Sequence, residues 1–100
     1  MLALVGTYPN PFRTFVRIRY NLPYEGVDKL RFFIFDLRGR VVWHSDVSCG
    51  ASFGPTDLVW NARSNDNRPV AAGIYIVKMV ALNGKQKVVA AFQRRMTFVP

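Results

Sequence analysis

Trp43-His44-Ser45-Asp46 holds the residue types of a nucleophilic triad, an imidazole beside a hydroxyl and a carboxylate. Their spacing defeats the chemistry. Consecutive residues on an extended chain alternate faces, so His44 and Ser45 point apart, whereas a triad needs nucleophile, base and orienting acid within hydrogen-bond reach. The stretch reads as the end of a surface strand. Asn61, Asn65, Asp66 and Asn67 offer oxygen ligands to a hard cation. Calcium loops need several anionic oxygens at fixed positions. This segment carries one full negative charge beside Arg63 and Arg68, so it reads as a polar turn. Cys49 sits between Ser48 and Gly50 with no neighbouring base to form a thiolate. One Cys and one His in 100 residues support neither a disulfide framework nor a structural zinc site. No catalytic, metal or cofactor residue is expected, and the chain is not read as an enzyme.

Charge is the next candidate for function. Fourteen Lys and Arg against six Asp and Glu leave a formal +8. Such a balance invites a nucleic-acid reading, but the cations are scattered. Arg17 and Arg19 share a strand face, Arg38 and Arg40 flank one turn, Lys85 and Lys87 flank another, and Arg94-Arg95 lie near the end. A nucleic-acid binder wants a basic stripe interleaved with exposed stacking aromatics. No specific nucleic acid is therefore expected. Charged edges protect sheets from pairing with one another, and an anionic cell surface or acidic partner uses the remaining charge better.

The elements that must position these residues are strands. Val16, Ile18, Tyr20 and Leu22 alternate with Phe15, Arg17, Arg19 and Asn21, a period of two. Leu30, Phe32 and Ile34 form the next set, ending at Asp36, with Phe33 and Phe35 pointing the other way. Leu37-Arg-Gly39-Arg40 reads as a tight turn with Gly39 at positive φ, and Val41 to Trp43 return. Residues 45–56 read as irregular, and they are expected to cover Phe33 and Phe35. Leu58 to Trp60, Ile74 to Val80 and Lys87 to Phe92 complete the set, with Asn83-Gly84 predicting a two-residue type I′ turn. Met1 to Val5 reads as a first strand, too short and too poor in basic residues for a signal peptide. No segment has helical periodicity or the ~18 apolar residues of a membrane span. Half the residues are apolar and 14% aromatic, which excludes disorder. About seven short strands predict an all-β antiparallel β-sandwich with Greek-key connections; a small barrel is the alternative.

Five motifs, in order, resemble a known family. They are Tyr8-Pro9-Asn10-Pro11-Phe12, Val16-Arg-Ile-Arg-Tyr-Asn-Leu-Pro23, Ile34-Phe-Asp36-Leu-Arg-Gly39-Arg-Val41, Leu58-Val-Trp60-Asn61, and Pro69-Val-Ala-Ala-Gly73-Ile-Tyr75. Together they resemble the immunoglobulin-like C-terminal sorting domains of the type IX secretion system, and the related immunoglobulin-like domain of flagellar hook-capping proteins. The resemblance runs from about 7 to 92, within a single module 1–100 that continues as a tail over 93–100. The family's Trp-Asp-Gly reads Trp60-Asn61-Ala62 here, and Asn67 or Arg68 stands where a Gly is expected before Pro69. Asn tolerates the left-handed region.

The resemblance implies a non-catalytic module at the C-terminus of a larger exported protein, covalently linked to that parent. It implies reading by secretion machinery or a cell-envelope component, passage through the periplasm, and an extracellular or cell-surface destination. A monomer is expected. The alternatives are a structural spacer or assembly domain of the hook-capping type, and a carbohydrate-binding accessory module using exposed aromatics. Pro9 and Pro11 fix φ and donate no hydrogen bond, Trp60 is expected to plug the core, and Tyr75 to return its hydroxyl to the backbone. Asp36 is expected to cap the Leu37–Arg40 turn. Gly73 is expected to admit a tight strand entry. Phe33, Phe35, Arg17 and Arg19 are the candidate partner surface should the 45–56 segment leave the two rings uncovered.

Overall fold

Alternating apolar and polar residues bury one face of each strand, and two such faces pressed together make a core. The computed structural model describes residues 2–22, 26–49 and 54–100. Its strands are β1 Ala3–Tyr8, β2 Val16–Leu22, β3 Lys29–Asp36, β4 Val41–Ser48, β5 Gly54–Trp60, β6 Gly73–Leu82 and β7 Val88–Phe98. They form a three-stranded sheet, β1-β2-β5, and a four-stranded sheet, β4-β3-β6-β7, with every pairing antiparallel. The chain changes sheet between β2 and β3, between β4 and β5, and between β5 and β6, which makes an immunoglobulin-like Greek-key sandwich.

The periodicity of β2 carries straight into the packing. Val16, Ile18, Tyr20 and Leu22 are buried and face Leu30, Phe32, Ile34, Val77 and Met79 from the other sheet. The Tyr20 and Phe32 rings meet at 5.1 Å and 55° across the interface. Each fully buried side chain of this size contributes about 1.5–3 kcal/mol. No side chain in the described core is charged.

Four local expectations are corrected. The first strand runs to Tyr8 and stops where Pro9 removes a donor. Residues 45–48, expected as irregular, continue β4; Trp43, Ser45 and Val47 pair with the inward Ile34, Phe32 and Leu30 of β3. Lying beside β3 in the same sheet, this segment cannot cover Phe33 and Phe35; residues 50–53 lie outside the described residues. The expected tail at 93–100 is largely strand: β7 runs through Arg94 and Arg95 to Phe98, because Met96 is fully buried against the core.

The fourth correction is the 83–87 hairpin. It turns on Gln86 at φ 62°, not on Asn83-Gly84. Asn83 Oδ1 accepts the N–H groups of Lys85 and Lys87, at 2.9 and 3.0 Å. Asn83 is thereby the first residue of a five-residue turn, rather than the first of two central residues.

Candidate recognition pole

Antiparallel order brings to one end of the sandwich the finish of β1, β3, β5 and β7 and the start of β2, β4 and β6. Pro9, Asn10, Pro11, Phe12, Asp36, Gly39, Trp60, Pro69, Gly73 and Tyr75, scattered over two thirds of the chain, all lie at this end. This end is the motif pole.

The segment 8–12 works as a latch. Asn10 Nδ2 donates to the Arg95 carbonyl at 3.1 Å, and Asn10 Oδ1 accepts the Thr97 N–H at 3.0 Å. Two residues on, Phe12 repeats the pattern with its backbone: its N–H donates to the Thr97 carbonyl and its carbonyl accepts the Val99 N–H, both at 2.9 Å. The carboxamide thus imitates a peptide unit, and the segment lies along β7 as a short parallel strand. Pro9 and Pro11, the residues with no N–H, fall at the alternate positions. Strand edges are commonly closed this way.

Beneath the latch, Phe12 is buried against Phe98, with centroids 5.2 Å apart, and against Trp60 at 6.0 Å. Tyr75 meets Trp60 edge-on at 5.3 Å. Each polar tip has a partner: Trp60 Nε1 donates to the Arg63 carbonyl at 2.9 Å, and the Tyr75 hydroxyl donates to the Ala71 carbonyl. Burial pushes the Tyr75 hydroxyl pKa up, and the nearby Asp36 adds to it. Aromatic pairs of this kind add about 0.5–1.5 kcal/mol each beyond burial.

The loops above this cluster are held in unusual backbone geometry. Gly39 has φ 83° and Gly73 φ 153°. Ala62, where the family's Trp-Asp-Gly would put glycine, sits at φ 59°, and Asn67 at φ 63°. Asp36 Oδ1 accepts the N–H groups of Arg38 and Arg40 at 2.9 and 3.0 Å, while Oδ2 pairs with Arg40 Nε at 3.0 Å. Burial pushes the Asp36 pKa up, but the Arg40 and Arg38 hydrogen bonds outweigh it and hold the carboxyl below its usual range. Asn65 leaves the polar loop to serve β4: its carboxamide accepts the His44 N–H at 2.9 Å and donates to the His44 carbonyl at 3.0 Å. That is a structural use for a residue with calcium-ligand chemistry, and no metal-ligating cluster occurs among the described residues.

Four grooves of about 490, 390, 320 and 400 Å³ open at this pole. The largest runs between the 36–40 turn and residues 70–75, with Arg38 and Arg40 on its rim and Val42 and Val70 among its lining. Leu37 stands 68% exposed beside it.

The four residues of the candidate partner surface do not meet. Phe33 and Phe35 lie on the outer face of the four-stranded sheet, half-buried, with ring centroids 6.0 Å apart. Their shelter is within that sheet: His44 and Lys78 flank Phe33, and Val41 and Ile76 flank Phe35. Arg17 and Arg19 lie on the opposite side, on the outer face of the three-stranded sheet. There Arg19 grips Asp57 at 2.9 and 3.2 Å and lies over the Tyr8 ring, and Arg17 lies over Phe15. The Arg19 hydrogen bond lowers the Asp57 pKa against the effect of burial. The pairing of β1 with β2 brings Tyr8 to Arg19, a contact that the chain alone does not show, whereas Phe15 and Arg17 are neighbours two residues apart. Cys49 is buried at the other end, and burial pushes its thiol pKa up, away from reactivity.

The fold and the braced pole define a small immunoglobulin-like module that presents one elaborately shaped end. Residues 6–91 match the secretion system C-terminal sorting domain, and the chain belongs to that family. Dimeric latent PorU from Porphyromonas gingivalis is similar, with a TM-score of 0.76 and 26% identity over 94% of this chain and 9% of that one. CopC from Methylosinus trichosporium OB3b shares the fold at a TM-score of 0.54 and 20% identity, over 100% of this chain and 95% of that one. No curated protein matches the chain.

Proposed function

We propose that this module is the type IX sorting signal of a larger exported protein, read as a folded unit by the secretion machinery and directing that parent through the periplasm to the cell surface or beyond. The match over residues 6–91 carries the reading, since the family is defined by sorting and not by catalysis. The fold agrees: this chain corresponds to 9% of PorU, the size of an appended module. The pole supports it physically, because a signal recognised as a shape must hold that shape. No helix among the described residues is long and apolar enough to cross a membrane.

The test fuses residues 1–100 to an exported reporter in a type IX-competent host. Sorting predicts reporter at the cell surface or in the medium, dependent on the machinery. A folded fusion held in the periplasm would end the proposal.

A further inference from the structure

The ion pairs of this protein are unevenly placed. Asp57 holds Arg19 on the three-stranded face, Asp46 holds Arg31 and Lys29 on the four-stranded face, and Asp36 holds Arg40 at the motif pole. Three further arginines at that pole, Arg38, Arg63 and Arg68, are exposed and meet no carboxylate within 4.0 Å among the described residues. Arg63 spends one N–H on the Asn67 carbonyl, and a fourth exposed arginine, Arg13, gives one to a main-chain oxygen of Pro100. Among the described residues, the pole sets against these cations Asp36, already engaged, and Asp66. Here the unmatched charge surrounds grooves with apolar walls.

We infer that the motif pole is the surface the export machinery reads, and that its partner is a carboxylate-rich protein surface carrying apolar side chains that enter the grooves. This deepens the sorting reading and rests on it. Guanidinium forks match carboxylates in a planar, two-point geometry, and unpaired charge at a rim steers encounter with a surface of opposite sign. The grooves choose a protein over an anionic lipid surface: concave linings with apolar side chains accept protruding side chains, whereas a plane of headgroups would leave them empty. On the sheet faces Asp57 and Asp46 hold Arg19, Arg31 and Lys29, while Arg17, Lys78, Arg94 and Arg95 meet no carboxylate among the described residues but line none of the four grooves.

The experiment compares two charge reversals of equal size in the reporter fusion, R38E/R68E at the motif pole and K85E/K87E at the opposite end. All four residues are exposed in turns, and thermal unfolding of the purified variants establishes that both fold. The expected result is at least ~10-fold less exported reporter for R38E/R68E, since like charges brought together oppose docking, with K85E/K87E close to wild type. Equal export of both variants would overturn the inference and leave the sorting reading intact. Periplasmic retention of the unaltered fusion would overturn both. Cosedimentation of the module with phosphatidylglycerol vesicles supplies the second arm. Vesicle binding lost in R38E/R68E in step with export would assign the pole to a lipid surface and overturn the protein partner.

Discussion

At opposite ends of the sandwich the chain makes the same five-residue turn from different residues. Between β3 and β4 it is Asp36-Leu-Arg-Gly39-Arg40; between β6 and β7 it is Asn83-Gly-Lys-Gln86-Lys87. In each, the first residue's N–H donates to the fifth residue's carbonyl at 3.0 Å, and the fourth N–H donates back to the first carbonyl. In each, the first side chain accepts the third and fifth N–H groups. The fourth residue is left-handed, Gly39 in one and Gln86 in the other. Ser64-Asn-Asp-Asn67-Arg68 repeats the frame a third time, with Asn67 left-handed and the Ser64 hydroxyl accepting the Arg68 N–H. The turn at 36–40 has a glycine where φ demands one and a charged cap. The turn at 83–87 has a neutral cap, and its glycine stands two places early. The better-fitted turn belongs to the motif pole, and the hairpin far from it is merely adequate.

Removing the cap from each turn gives the largest effect. Asn83→Ala strips two N–H groups of their acceptor and should cost about 1–3 kcal/mol at a net ~0.5–1.5 kcal/mol per hydrogen bond, or roughly 4–24 °C in Tm. Asp36→Ala loses the same two bonds with a charged acceptor, plus the Arg40 pair, and should lower Tm further. Equal losses would mean that the charge on Asp36 adds nothing to its turn.

Acid separates the two caps more finely. The folded-state pKa of Asp36 lies below its ordinary value: burial opposes ionisation, but the Arg40 and Arg38 hydrogen bonds win. Its contribution is therefore complete at neutral pH, where both states are ionised, and is lost as pH falls from ~4 through the depressed value. Asp36→Asn should be less stable than wild type at pH 7 and converge with it toward pH 2 in thermal scans. Asp46 and Asp57 are also depressed, by Arg31 and Arg19, and titrate in both proteins. A gap that stays constant with pH would show that Asp36 gains nothing from its ionised state.

These turns also mark what could be read in the chain. The strands and the sandwich class were legible in period-two alternation, because burial of one face dominates the energetics and leaves few choices of face. Trp60, Tyr75 and Asp36 were legible because each role is local: an indole with a nearby carbonyl, a hydroxyl four residues from its acceptor, a cap within its own turn. Asn10 and Asn65 were not. Asn10 reaches Arg95 and Thr97 across 85 and 87 positions, and Asn65 reaches His44 across 21. A carboxamide standing in for a strand leaves no local pattern. The end of β7 was missed for a related reason: Arg94-Arg95 looks like solvent-facing tail until Asn10 and Phe12 pair with Thr97 and Val99.

Glycine placement tests the difference directly. Gly39→Ala puts a side chain in open space, with nothing within 4 Å of its Cβ, so its cost is conformational. A left-handed alanine loses ~1–2 kcal/mol, partly offset by ~0.4–1 kcal/mol of unfolded-state entropy. A net loss of about 1 kcal/mol is expected in urea unfolding with an unchanged m-value.

The smallest effect has the opposite sign. Gln86 is exposed and left-handed without local help from its own side chain, so Gln86→Gly should relieve strain and stabilise by ~0.5 kcal/mol after the entropy of glycine is charged against it. Asn67→Gly should gain less, a few tenths at most, since asparagine already tolerates this geometry. The order Gln86 above Asn67, measured as urea midpoints, would show that the 83–87 turn is limited by the residue at its left-handed position. If Asn67→Gly gained more, strain would be greater at the motif pole than in the plain hairpin, and the turn there would be held against its own preference by the Trp60 cluster beneath it.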